Sequence, residues 1–182
     1  TRAEAEAALA ADPEDYITRK PKPLPGSHHL AASDTTSAQP TLPLHGSPIL
    51  PALAVDAACS GNPGLMEFRG VIADTRTQVF HRGPYVGGTN NIGEFLAIVH
   101  ALALLYKEGI DNVIIYSDSR IAINWVKSGQ CRTKLEYTPF TAELFDVVRR
   151  AEAWLANNDF RVPIIKWPTE KWGEIPADFG RK

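Results

Sequence analysis

Apolar and polar positions alternate between residues 53 and 84, and the pattern changes to a helical one after residue 90. LAVDAAC (53–59) reads as a strand, and residues 67–73 and 78–84 as two more, joined across the turn Asp74-Thr75-Arg76-Thr77. Ser60-Gly61-Asn62-Pro63-Gly64 supplies the turn after the first of them. These three strands are expected to form an antiparallel meander. Residues 91–107 are apolar on most faces, which predicts a helix buried on more than one side and stopped at Gly109. NVIIYS (112–117) is a short apolar run of the kind found in buried parallel strands. Helices are expected over 119–128, ended by Gly129, and over 140–156, after Pro139. Residues 161–166 read as a last strand and 174–182 as a short terminal helix. The order predicts an α/β fold, with a mixed sheet (antiparallel meander plus parallel strands) and helices packed on its faces.

The chain upstream has a different texture. Residues 1–17 read as a short helix ending near Asp12 and Pro13. Residues 18–51 hold seven prolines among Ser, Thr, His and Gly, and are expected to be a flexible linker. That leaves 52–182 as the folded unit. With 182 residues and 44% hydrophobic content, one sizeable core is affordable. The apolar runs fall short of a membrane span. Residues 1–12 lack a basic stretch leading an apolar one, so they do not read as a secretion signal. Cys59 and Cys131 have neither metal spacing nor a disulfide framework, and a reducing cytoplasm is expected. The net charge of -2 argues against a strongly basic nucleic-acid binder. Residues 52–182 carry 15 basic and 15 acidic side chains, so bound cations on four or five acids would leave a positive working surface.

The carboxylates carry the candidate chemistry. Asp56 interrupts an apolar strand, sharing one face with Ala54 and Ala58, where a charge is costly unless paired or metal-bound. It also reads as a strand-end Asp making the following turn. Glu94 falls in the expected first turn of the buried helix, where the helix dipole would suit it. Its helical neighbours Ala97, Ile98, Ala101 and Leu105 nevertheless form an inward stripe, which points Glu94 at the sheet. Asp118 closes the strand 112–117; it either caps the next helix, unless Ser117 does so, or faces a site beyond the strand end. If its strand is the parallel neighbour of the first, Asp56 and Asp118 meet. Glu174 and Asp178, four apart on the expected terminal helix, share a face and repel without a cation between them. Acids converging at one sheet edge call for hard divalent cations, and Mg²⁺ suits oxygen ligands best. Two such ions activate water and stabilise a leaving oxygen, which is phosphodiester hydrolysis chemistry. Nucleophile-elbow, Walker and zinc signatures are absent.

VDAACSGNPG (55–64), TNNIGEFLAIVHAL (89–102), IIYSDSRIAINWV (114–126) and WGEIPADFGRK (172–182) together resemble ribonuclease H of type I, over about residues 50–182. The chain is similar to bacterial members in which a small hybrid-binding, viroplasmin-like domain precedes the nuclease, and residues 1–17 resemble the end of that domain, here truncated. The resemblance implies the ribonuclease H-like fold with a five-stranded mixed sheet. It implies an endonuclease that hydrolyses the RNA strand of RNA–DNA hybrids with two Mg²⁺ ions (Mn²⁺ able to replace them), leaving 5′-phosphate and 3′-hydroxyl ends. The ligand set carries over to Asp56, Glu94, Asp118 and Asp178. Glu174 would take the assisting place that a loop histidine fills in other members, since no histidine follows His100.

A hybrid is read through shape, phosphates and 2′-hydroxyls in a wide minor groove. The Cys59 backbone, Gly61, Asn62, Asn90 and Asn91 are candidates for 2′-hydroxyl and base-edge contacts. Thr89 with Asn91, joined by Thr133, Lys134 and Thr169, would hold a DNA phosphate. The asparagines also read as turn and cap residues, and Trp125 as core or as a sugar-packing ring. The basic protrusion of some relatives is replaced by the short interval 130–137, so a tethered hybrid-binding domain would restore affinity. A monomer is expected. A junction resolvase or integrase of the same fold would lack the G-N-P-G turn and paired asparagines. A binding module without catalysis would not need all four acids. A glycosidase would need sugar-stacking aromatics that the chain does not display.

Overall fold

The computed structural model describes residues 46–180; the expected helix over 1–17 and the linker up to residue 45 lie outside that range. The sheet is built from β1 (Ala52–Gly61), β2 (Gly64–Ile72), β3 (Gln78–Gly88), β4 (Ile114–Ser117) and β5 (Ile164–Lys166). Their spatial order is β3-β2-β1-β4-β5, with β1, β2 and β3 antiparallel and β4 and β5 parallel to β1. The helices are α1 (Asn90–Glu108), α2 (Arg120–Ser128), α3 (Ala142–Asn157) and α4 (Thr169–Trp172). This is the expected five-stranded mixed sheet flanked by helices.

Strand alternation sorts β1 between two cores. Leu53, Val55 and Ala57 join the larger cluster, which α1, α2 and α3 cover. Ala52 and Ala54 join a smaller one with Tyr116, Trp167, Ile175 and Ala177. From Ile92 to Leu105 every residue of α1 is buried, as its apolar faces required. Thr89 caps its start, and Gly109 ends it in the left-handed region at φ 66°, so that two successive amides close on the last turn.

Several boundaries moved for backbone reasons. β5 starts at Ile164 rather than 161 because Pro163 has no amide to give the ladder. β3 runs past Pro84 to Gly88, which an edge strand with register shifts tolerates. The expected helix over 174–182 is not formed in the described part of that segment. Pro176 disfavours the helical region at Ile175, and Gly173 and Gly180 adopt positive φ. A single helical turn, α4, forms just before it instead. Residues 46–51, expected as the end of the linker, are tied down: Trp172 Nε1 donates to Gly46 O at 2.7 Å, and Ile49 N donates to the Tyr116 hydroxyl at 2.9 Å. Among the described residues no helix is long and apolar enough to cross a membrane.

Candidate active site

β1 and β4 pair in parallel up to Val55 and Ser117, so the next residues, Asp56 within β1 and Asp118 just past the end of β4, emerge side by side where that ladder ends. α1 crosses β1 closely enough that a Cβ on Gly93 would lie 2.6 Å from Ala57 Cβ. The neighbouring Glu94 is thereby brought to the same place. One carboxylate oxygen from each of Asp56, Glu94 and Asp118 lies within 4.8 Å of the others. Asp56 and Glu94 are buried, at 6% and 7% exposure, and Asp118 is half-buried.

Glu94 stands in the second turn of α1, since the helix starts at Asn90; the dipole explanation for it therefore lapses. Two groups orient its carboxylate. Asn90 Nδ2 donates to Oε1 at 2.9 Å, and the Ser119 hydroxyl donates a further bond. Neither Asp118 nor Ser117 caps α2. Ser119 does, accepting from Ala122 N at 3.2 Å, while Ser117 Oγ accepts from Ser119 N. The Asp118 carboxylate is left facing the other two acids.

Burial, then the Asp118 charge, push the Asp56 carboxyl up to about 8; Glu94 and Asp178 add to the rise and the Ala57 backbone bond opposes it. Burial raises Glu94 to about 7 against the relief from Ser119, with Asp118 raising it and Lys166 lowering it. Two buried carboxyls that resist ionisation, with the Asp118 charge beside them, form a centre short of positive charge. The donor set is all oxygen, hard and anionic. Opposed ligands of a Mg²⁺ ion are about 4.2 Å apart and those of Ca²⁺ about 4.8 Å, so the cluster fits one such cation after small side-chain movements.

Asp178 approaches from the segment after α4. It is half-buried, its Oδ2 accepts from Gly180 N at 2.8 Å, and its charge acts on Asp56. It lies outside the tight group of three. Glu174 is exposed and does not share a helix face with Asp178.

The expected substrate contacts divide. Gly61 and Asn62 form the exposed tip of the β1–β2 hairpin. Cys59 is half-buried, its thiol donating to Gly88 O at 3.3 Å. Thr89 caps α1 and Asn90 holds Glu94, while Asn91 is half-buried at the start of the helix. Thr133 Oγ1 accepts from Leu135 N; Lys134 is exposed and Thr169 opens α4. Trp125 packs edge-on to Phe95 in the core. Ser119, Lys166 and Arg69 were not anticipated. A serine directly before a helix is a capping signal, and an arginine in the interior of β2 was the visible sign of Arg69.

Residues 54–154 match the family described as reverse transcriptase-like. The ribonuclease H of Rickettsia massiliae (strain Mtu5) is 35% identical over 137 residues, covering 68% of this chain and 82% of that protein. The ribonuclease H of Polaromonas naphthalenivorans (strain CJ2) is 28% identical over 127 residues, covering 68% and 76%. Among solved structures, RNase H1 of the halophilic archaeon Halobacterium salinarum NRC-1 aligns with a TM-score of 0.42 at 24% identity, covering 65% of this chain and 86% of that one. The extent of the family match and the identity to ribonucleases H across most of their length place the protein: it belongs to the ribonuclease H family of nucleases.

Proposed function

We propose that the chain is an endoribonuclease that hydrolyses the RNA strand of RNA–DNA hybrids, using two Mg²⁺ ions and leaving 5′-phosphate and 3′-hydroxyl ends. The observation that carries the reading is the cluster of Asp56, Glu94 and Asp118, the first two buried and the third half-buried, where the parallel ladder of β1 and β4 ends. Bound divalent ions lower the pKa of water and neutralise charge on phosphate oxygens. The chain supplies the rest. Asp56 is fixed within β1 and Asp118 at the end of β4, and Glu94 is aimed by Asn90 and Ser119, so the ligand oxygens need little reorganisation. Asp178 completes the ligand set, and Glu174, exposed nearby in sequence, assists from the solvent side. Mn²⁺, with the same preference for oxygen ligands, is expected to substitute.

Hybrid selectivity is supported by the shape of the rim. The exposed Gly61-Asn62 tip presents backbone and a small amide, which suit close approach to ribose hydroxyls. Asn91, half-buried at the start of α1, is proposed to contact the same RNA strand. Thr89, Thr133, Lys134 and Thr169 are proposed to hold the DNA strand's phosphate, with Cys59 and Asn90 offering further contacts. Replacing Asp118 by Asn tests the reading. A loss of about 10²-fold or more in Mg²⁺-dependent hybrid cleavage is expected, with the fold retained. Unchanged cleavage in that variant would refute the mechanism.

A further inference from the structure

Arg69 is the antiparallel partner of Asp56 in the β1–β2 ladder, so the two side chains share a face of the sheet. Among the described residues the guanidinium ends on backbone carbonyls. Its Nε donates to Ala177 O at 2.8 Å and its Nη2 to Asp178 O at 2.5 Å. Its central carbon stands 4.5 Å from the ring centroid of Phe179. One side chain thus holds three consecutive residues, 177 to 179.

The segment it holds has no helix or strand to keep it in place. Its local bonds include Asp178 N to Ile175 O at 2.8 Å and Gly180 N to Asp178 Oδ2 at 2.8 Å, and the Phe179 ring also meets His81. Ile175 and Ala177 are fully buried against Tyr116 and Trp167, which anchors the upstream half. Arg69 anchors the downstream half. A planar fork with two parallel donors can fix the direction of two successive carbonyls, which a lysine ammonium cannot do.

We propose that Arg69 is a positioning residue: by binding the carbonyls of Ala177 and Asp178 and stacking on Phe179, it holds the Asp178 carboxylate against Asp56. This rests on the reading of Asp178 as the fourth metal-binding acid. The clamp stands where the sequence had led one to expect a terminal helix, and it ties this end of the site to β2, the antiparallel neighbour of the strand that carries Asp56.

The test uses the full chain and the variants Arg69→Ala, Arg69→Lys and Asp178→Asn. Hydrogen exchange in metal-free protein is read first. In Arg69→Ala the peptide over 175–180 is expected to exchange about 10-fold faster, with the α1 core peptide unchanged and Arg69→Lys intermediate. Unaltered exchange over 175–180 overturns the proposal, whatever the substrate. Single-turnover hybrid cleavage is read second. Arg69→Ala is expected to lower kcat by about 10- to 100-fold with KM little changed. In the Asp178→Asn background the same change is expected to cost less than about 3-fold, because its target is already gone. Equal losses in both backgrounds overturn the proposal, as does an Asp178→Asn variant that cleaves normally. A wild-type chain that leaves hybrids uncut overturns the cleavage reading alone, since the exchange result still decides what Arg69 holds. If Arg69→Ala does not fold, Arg69→Lys carries both measurements.

Discussion

Gly93 and Ala57 touch where α1 crosses β1: a methyl group on Gly93 would lie 2.6 Å from Ala57 Cβ and 2.9 Å from Met66 Sδ. That contact sets how near Glu94 comes to Asp56. Gly93→Ala is therefore expected to push α1 outward despite alanine's better helix propensity. The stability cost should be about 1–3 kcal/mol in urea unfolding, and Mg²⁺ affinity should fall with it. Wild-type stability and metal affinity in this variant would show that the close approach does not place Glu94.

The carboxylate cluster is a liability without a cation. Mg²⁺ is expected to raise the thermal midpoint of the wild-type protein, because it binds the folded state alone. Asp118→Asn removes one repelling charge. It is expected to melt at or above the metal-free wild type and to lose the Mg²⁺ response. A preserved Mg²⁺ shift in that variant, followed by scanning fluorimetry, would place the ion elsewhere.

His100 gives a pH signature of its own. It is buried against Phe68 and Phe80, and burial, with the nearby Arg82 charge adding to it, pushes its imidazole down to about 3. An unfolded histidine titrates near 6.5, so below that pH the unfolded chain takes a proton that the folded chain refuses. The stability from a neutral His100 is thus present above about pH 6.5 and is lost progressively towards pH 3, by at most about 1.4 kcal/mol per pH unit. Asp56 and Glu94, raised by burial, act in the opposite sense, so the comparison must isolate one residue. His100→Leu is expected to flatten the fall between pH 6.5 and 4 relative to wild type. Parallel curves would contradict the placement.

Trp172 joins the segment before β1 to the region around α4. Its indole bonds Gly46 O and its ring meets Tyr116 and Trp167 edge-on. Trp172→Phe keeps most of the packing and loses the bond, and should cost about 0.5–1.5 kcal/mol in urea unfolding. No change would mean that the bond from Trp172 to Gly46 contributes nothing to the stability of the folded unit.

The parts of the site that sit on regular elements were legible in the sequence. Asp56 and Asp118 were readable because a charge inside or at the end of an apolar strand has few inexpensive explanations. Glu94 was readable because the stripe of Ala97, Ile98, Ala101 and Leu105 gives its direction. The segment carrying Asp178 was misread as helix, and with it the shared face of Glu174 and Asp178; Pro176 works against that helix. The Arg69 clamp could not be read at all. It joins residues more than one hundred positions apart through backbone carbonyls, which leave no trace in side-chain type. The role of Ser119 was split wrongly between its neighbours, because three consecutive polar residues at a helix start compete for one cap.

The most direct measurement is cleavage of a strand-labelled RNA–DNA hybrid across a Mg²⁺ titration, with duplex RNA and duplex DNA alongside. Metal-dependent cutting of the RNA strand of the hybrid alone, with 5′-phosphate and 3′-hydroxyl ends, is the predicted result. Cutting of the DNA strand, equal cutting of duplex RNA, or cutting that persists without a divalent ion would contradict the account.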